Sequence, residues 1–155
     1  TTSPVVTRIL FIELLGGLGD VLIALPAIQA LAASHASAHM TVLTFAPGDQ
    51  LLAHHPLVQQ VWPVAPGQAR LAVKQALQNP FDLIVTDTTY DGIAELVEQS
   101  NAGRTVTNLW RNPPGDQLVS DRMLHILQAE SLVTSEAAAA HRHPRAPPPV
   151  SRTVT

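Results

Sequence analysis

An apolar segment, Arg8 to Leu15 (RILFIELL), is followed at once by a glycine-rich turn and an apolar helical segment, and this succession limits the possible folds of the chain. A nearly continuous apolar run of this length is typical of a central parallel strand buried on both faces. Residues 20–34 (DVLIALPAIQALAAS) have a helix-rich composition, and Pro26 predicts either a kink or a helix that starts just before it. The segment therefore predicts a strand, a glycine turn and a helix.

The same alternation continues along the chain. The composition predicts further strands at 40–45, 58–64, 81–86 and 104–108, with helices at 68–78, 92–100 and 117–132 and a short helical or irregular piece at 50–55. Strands that alternate with helices form parallel sheets covered on both sides. We expect an α/β fold with a doubly wound parallel sheet, which is Rossmann-like.

Composition limits the domain count and the class of partner. A chain of 155 residues with 46% hydrophobic residues is long enough for one domain with a real core. We assign residues 1–133 to this domain and 134–155 to a Pro/Ala-rich linker or disordered tail without a packed element. The net charge of -3, without a basic run, argues against nucleic acid as a partner.

The sequence also predicts the cellular compartment of the protein. No apolar run reaches the roughly 18 to 20 residues that cross a bilayer, and the start of the chain lacks the order of a signal peptide. Cysteine is absent, which is compatible with a reducing compartment. We therefore expect a cytoplasmic protein.

The turn after the first strand contains Gly16, Gly17, Leu18, Gly19 and Asp20. In an open parallel sheet such a turn lies at the carboxyl edge, where ligands bind, and glycines allow close approach of a ligand. The turn fits neither the dinucleotide fingerprint, whose third glycine is replaced by a leucine, nor the phosphate loop, which requires a lysine. A tight turn required only for packing is the alternative for the glycines, and a helix N-cap is the alternative for Asp20.

Other polar residues follow or end the predicted strands. For Asp87 and Thr88, helix capping and binding of a ligand both remain open. Glu13 is expected at a solvent-accessible strand end rather than as a second carboxylate that faces the ligand. Trp110 is a core residue or a sugar-stacking residue. The histidine pairs, 54–55 and 141/143, lack converging ligands, so we predict no metal site and no cofactor.

The segment from Arg8 to Leu31 resembles the N-terminal motif of family nine glycosyltransferases, the family of the ADP-heptose:lipopolysaccharide heptosyltransferases. The matching residues are Arg8-Ile9-Leu10, Gly17-Leu18-Gly19-Asp20-Val21-Leu22, Leu25-Pro26-Ala27 and Leu31. Weaker likeness extends over residues 8–133, through the strands at 41–45 and 81–85 and the segment His55-Pro56-Leu57-Val58.

The resemblance implies two facing Rossmann-like domains, of which this chain is the N-terminal, acceptor-side one. It implies inverting transfer of a sugar, heptose in these enzymes, from an ADP-sugar to a lipid-linked, lipopolysaccharide-core-type acceptor. Asp20 would be the general base. From their positions at the carboxyl edge, we expect substrate contacts from Gly16, Gly17, Leu18 and Gly19, and binding of an acceptor hydroxyl by Asp87 and Thr88.

The resemblance assigns no residues of this chain to binding of the ADP-sugar donor. An ADP-sugar site would require a second domain or a complementing chain, and the lipid acceptor implies peripheral contact with the inner face of the inner membrane. A non-catalytic Rossmann-like module, binding a nucleotide or another protein, is the alternative.

Overall fold

The computed structural model describes residues 7–15, 18–46, 48–107, 109, 119–130 and 132–141. Its five strands are β1 (Arg8–Glu13), β2 (His39–Phe45), β3 (Gln60–Val64), β4 (Leu83–Thr86) and β5 (Arg104–Val106). Its helices are α1 (Leu18–Ser34), α2 (Ala69–Ala76), α3 (Ile93–Glu98), α4 (Val119–Ala129) and α5 (Ser135–His141), and short 3₁₀ turns cover Gly48–Leu51 and Tyr90–Gly92.

The five strands form one parallel sheet in the order β3-β2-β1-β4-β5. β1 is the central strand, and its side chains from Ile9 to Ile12 are apolar on both faces. Ile9 and Phe11 belong to one buried cluster, and Leu10, Ile12 and Leu14 belong to another. The predicted doubly wound, Rossmann-like α/β fold is confirmed.

The helices cover the two faces of the sheet separately. The cluster on one face contains buried residues of α1, α4 and α5, whereas the cluster on the other face contains residues of α2 and α3. Helix α1 packs against both α4 and α5. Because α1 meets the sheet and two helices, its composition is apolar around most of its circumference.

Two details of the helices correct the sequence-based expectations. Helix α1 begins at Leu18, so Pro26 lies inside it rather than at its start. The prediction that no packed element follows Thr134 is wrong for residues 135–141, which form α5. Ala137 and Ala138 of this helix are buried in the core cluster that includes α1. Small alanine side chains allow two helices to pack closely. The low-complexity composition of this segment did not predict that packing. Residues 142–155 of the predicted tail lie outside the described ranges, and the division at 133/134 stays a prediction.

The topology creates a switch point at the carboxyl edge of β1 and β4. The chain leaves β1 through α1 to reach β2 on one side, while β4 lies on the other side of β1 and is followed by α3 on the opposite face. Connections that diverge in this way leave a crevice outside the carboxyl ends of the strands. The predicted functional residues follow these two strands.

Candidate active site at the carboxyl edge of the sheet

Glu13, the last residue of β1, is almost fully buried, with 1% of its surface exposed. One carboxylate oxygen accepts a hydrogen bond from the Leu15 amide at 3.0 Å, and the other accepts one from the Thr44 hydroxyl at 3.2 Å. Burial raises the pKa of this carboxyl, and the charge of Asp20 raises it further, whereas the two hydrogen bonds lower it. The expected solvent-accessible position of Glu13 is therefore wrong.

Asp87 follows β4 directly, and its side chain is also 1% exposed. Its Oδ1 accepts a hydrogen bond from the Thr88 hydroxyl at 2.9 Å, whereas its Oδ2 is buried without a hydrogen-bond partner. Burial raises the pKa of Asp87 well above its ordinary value, and the charges of Glu13 and Asp20 raise it further. Burial thus disfavours the charged form of this carboxyl.

Asp20 is the third residue of α1 and is partly buried. It lies in the first turn of the helix rather than before it, which differs from the simple N-cap alternative. A negative charge in the first turn interacts favourably with the helix dipole. Because the charge of Asp20 raises the pKa of both Glu13 and Asp87, the three carboxyls form one electrostatic group at the switch point.

Thr88 connects the segment after β4 to the end of β1. Its side chain is fully buried, and its hydroxyl accepts a hydrogen bond from the Leu14 amide at 2.8 Å while it donates to Asp87. The last backbone bond between the two segments runs from the Asp87 amide to the Ile12 carbonyl, at 3.2 Å. The Thr88 side chain thus continues the pairing of β1 with β4 beyond the end of the strands.

Tyr90 completes this connection through the other backbone polar group of Leu14. Its hydroxyl donates a hydrogen bond to the Leu14 carbonyl at 2.6 Å. Burial raises the pKa of the Tyr90 hydroxyl, and the charges of Asp91, Glu13 and Asp87 raise it further. The sequence alone did not predict this contact, because only the folded sheet shows that residues about 75 positions apart meet.

The structure therefore brings together three of the predicted site residues, namely Asp20, Asp87 and Thr88. Capping of the following helix by Asp87 or Thr88 is wrong, since the residue that precedes α3 is Gly92, and no side-chain capping bond is formed there. Direct contact of Asp87 and Thr88 with substrate stays a prediction, and both side chains lie below the surface.

The predicted turn residues are only partly described. Gly16 and Gly17 lie outside the described residues, as does Trp110, and Leu18 and Gly19 form the start of α1. Their predicted contacts with substrate, like the role of Trp110, stay predictions.

His55, a member of the first histidine pair, has structural contacts of its own. His55 accepts a hydrogen bond from the Leu57 amide at 3.1 Å, and its other ring nitrogen pairs with the Gln29 amide group at 3.1 Å. Among the residues that the structure describes, no group of three or more His, Cys, Asp or Glu side chains is arranged to hold a metal ion. Within the same ranges, none of the helices has both the length and the apolar character that crossing a bilayer requires.

Comparison with known proteins finds similarity at the level of structure. The sequence matches no protein-family model and no curated protein. A family nine glycosyltransferase from Veillonella parvula superimposes with a TM-score of 0.65 at 17% identity, over 83% of this chain and 42% of the other.

Two structures of the E. coli heptosyltransferase WaaC are also similar. The complex with ADP gives a TM-score of 0.61 at 22% identity, over 87% of this chain and 52% of the other. The complex with ADP-2-deoxy-2-fluoro heptose gives 0.57 at 16% identity, over 87% and 53%. This chain thus has the fold found in about half the length of family nine glycosyltransferases.

Proposed function

We propose that this chain is the acceptor-side half of an inverting glycosyltransferase, with Asp20 as its general base. The observation that carries the proposal is the position of Asp20 in the first turn of α1, at the switch point and beside two buried carboxyls. Ligands of open parallel sheets bind at this edge. The fold shared with family nine enzymes supports transfer of a sugar as the chemistry.

The reaction would proceed in one displacement. An acceptor hydroxyl oxygen attacks the anomeric carbon of the ADP-sugar, and the bond between that carbon and the diphosphate oxygen breaks with its electrons, which releases ADP. The hydroxyl proton passes to the Asp20 carboxylate, which must lie within hydrogen-bond reach of the hydroxyl. Attack from the face opposite the leaving group inverts the configuration.

The environments of the three carboxyls favour Asp20 over its neighbours as the base. Glu13 and Asp87 are almost fully buried, so an acceptor hydroxyl has little access to either carboxyl. Asp20 is only partly buried and lies where the helix begins, so substrate can reach it.

The proposed donor and acceptor follow from the resemblance. The chain spans about half the length of the structures it matches, one of which holds ADP and another an ADP-sugar analogue. We propose that a further domain or a complementing chain binds the ADP-sugar, with heptose as the sugar. The acceptor would be a lipid-linked saccharide of the lipopolysaccharide-core type, reached by peripheral contact with the inner face of the inner membrane.

Asp20→Asn tests the role of the base. In the complete enzyme that contains this chain, we expect ADP release to fall about 100-fold or more, since general bases contribute about 10² to 10⁴. Acceptor binding, measured by calorimetry, should change less than about threefold because Asn preserves the shape of the side chain. Glu95→Gln, which removes an exposed carboxylate from the first turn of α3, is the matched control and should keep native turnover.

A variant Asp20→Asn with native turnover would exclude this residue as the base. Titration of the 155-residue chain with ADP, an ADP-sugar and a truncated core acceptor, followed by amide NMR, tests whether this chain binds the acceptor or the donor. Acceptor binding near residue 20 without ADP binding is the expected result. ADP binding there without acceptor binding would instead favour a nucleotide-binding module.

A further inference from the structure

Tyr90 combines an exposed ring with an anchored hydroxyl. It is the only tyrosine of the chain, and 46% of its surface is exposed. Four large apolar residues are exposed within the described ranges, and Tyr90 is the only aromatic one; the others are Leu22, Leu51 and Leu71. A surface tyrosine ordinarily directs its hydroxyl to water and buries its ring, and here the polar end is bound to the protein instead.

The hydroxyl of Tyr90 fixes the ring beside the candidate active site. It donates to the Leu14 carbonyl at 2.6 Å, one residue after Glu13 and two residues before Gly16, the first residue of the predicted glycine turn. The charges of Glu13 and Asp87 both act on this hydroxyl, so it lies close to the group of carboxyls that also includes Asp20. The hydroxyl of Tyr90 therefore lies at the carboxyl end of β1, the strand that precedes α1 and its Asp20.

The backbone that carries Tyr90 is also held in place. Arg70, in the first turn of α2, donates a hydrogen bond to the Asp91 carbonyl at 2.7 Å. Asp91 has a φ of 56° and Gly92 a φ of 73°, both in the left-handed region. Aspartate is one of the few residues other than glycine that adopt this conformation readily. The Arg70 contact thus holds the backbone next to Tyr90, and the bond to Leu14 holds its hydroxyl.

We propose that the Tyr90 ring is a stacking platform for a sugar ring of the acceptor. This inference rests on the proposed function and adds a residue that recognises the saccharide. The face of an aromatic ring carries partial negative charge, and the C–H groups on the less polar face of a pyranose carry partial positive charge, so the two faces attract. A ring that is already immobilised loses little conformational freedom when the sugar binds.

Ring removal and hydroxyl removal separate the two properties of Tyr90. In the 155-residue chain, Tyr90→Leu keeps apolar bulk but loses the aromatic face, and we expect binding of a de-acylated core saccharide to weaken about tenfold. Tyr90→Phe keeps the face and should bind within about threefold of the native chain. Leu71→Ala, which removes another exposed apolar side chain, is the control and should bind as the native chain does.

The single tyrosine also gives a direct spectroscopic test. With ¹³C-labelled tyrosine, one set of ring signals reports on Tyr90 alone, and it should shift on addition of the saccharide while sugar protons move upfield. Native binding with unchanged ring signals, or with equal affinity in Tyr90→Leu, would overturn the platform and leave the proposed function standing. Absence of saccharide binding by the native chain would overturn both.

Discussion

The substitution Thr88→Val examines the connection between β4 and β1. Valine has nearly the shape of threonine but lacks the hydroxyl that accepts from the Leu14 amide at 2.8 Å and donates to Asp87 at 2.9 Å. Thr88 is fully buried, so water cannot replace either bond without a change in structure. The variant leaves a buried amide and a buried carboxyl oxygen without their partner.

The expected loss follows from these two groups. A buried polar group left unsatisfied costs about 1 to 3 kcal/mol, and the added methyl recovers part of this, so the free energy of unfolding should fall by about 2 to 4 kcal/mol. For a chain of this size the melting temperature should fall by roughly 5 to 15 °C. Such a loss is a large fraction of the stability of an ordinary domain, which is about 5 to 15 kcal/mol.

Urea unfolding followed by circular dichroism measures this change. The matched control is Thr41→Val in β2, because Thr41 is equally buried and its hydroxyl has only a long contact of 3.4 Å to the His39 ring. A bond of that length is weak, and we expect the control to lose less than about 1 kcal/mol. Equal stabilities of the two variants would refute the role assigned to the Thr88 hydroxyl.

Two further predictions concern stability. The pKa of Asp87 is raised in the folded state, so the folded state holds the proton more tightly than the unfolded state, in which the pKa has its ordinary value of 3.8. The stabilisation from this proton is therefore fully present below pH 3.8 and is lost as the pH rises through the folded pKa. Asp87→Asn should remove this component, so urea unfolding between about pH 4 and pH 8 should show the variant gaining relative to the native chain as pH rises, and a constant difference would contradict the assignment. In α5, Ala138 is 1% exposed and Ala139 is exposed. Ala138→Asp should lower the free energy of unfolding by about 2 to 4 kcal/mol and Ala139→Asp by less than about 1 kcal/mol, and equal melting temperatures would argue against packing of α5 on the core.

The fold was predictable because its signals are local. The apolar residues of β1 alternate between two buried clusters, so a run that is apolar at every position indicates a strand covered on both faces. Glycine and proline mark the connections, and the alternation of strands with helices allows few topologies other than a parallel sheet. Helix α5 was not predicted because its alanines carry little periodic signal, and its stability comes from packing against α1.

The candidate site was predictable only in part. Asp20, Asp87 and Thr88 could be placed at the carboxyl edge because each follows a predicted strand. The burial of these residues and the charges near them could not be predicted, since both depend on which strands become neighbours. Glu13 shows the difference: its position at a strand end suggested exposure, but hydrogen bonds from Leu15 and Thr44 allow it to be buried.

Local sequence patterns were sufficient to predict the order of the five strands and of α1 to α4, the central position of β1 and the edge at which polar residues collect, but not α5. Tertiary structure alone decided that β4 lies beside β1, and this pairing brings Thr88 and Tyr90 to the amide and the carbonyl of Leu14. Apolar periodicity is read over a few residues, whereas a hydrogen bond between residues 74 to 76 positions apart depends on the register of the whole sheet.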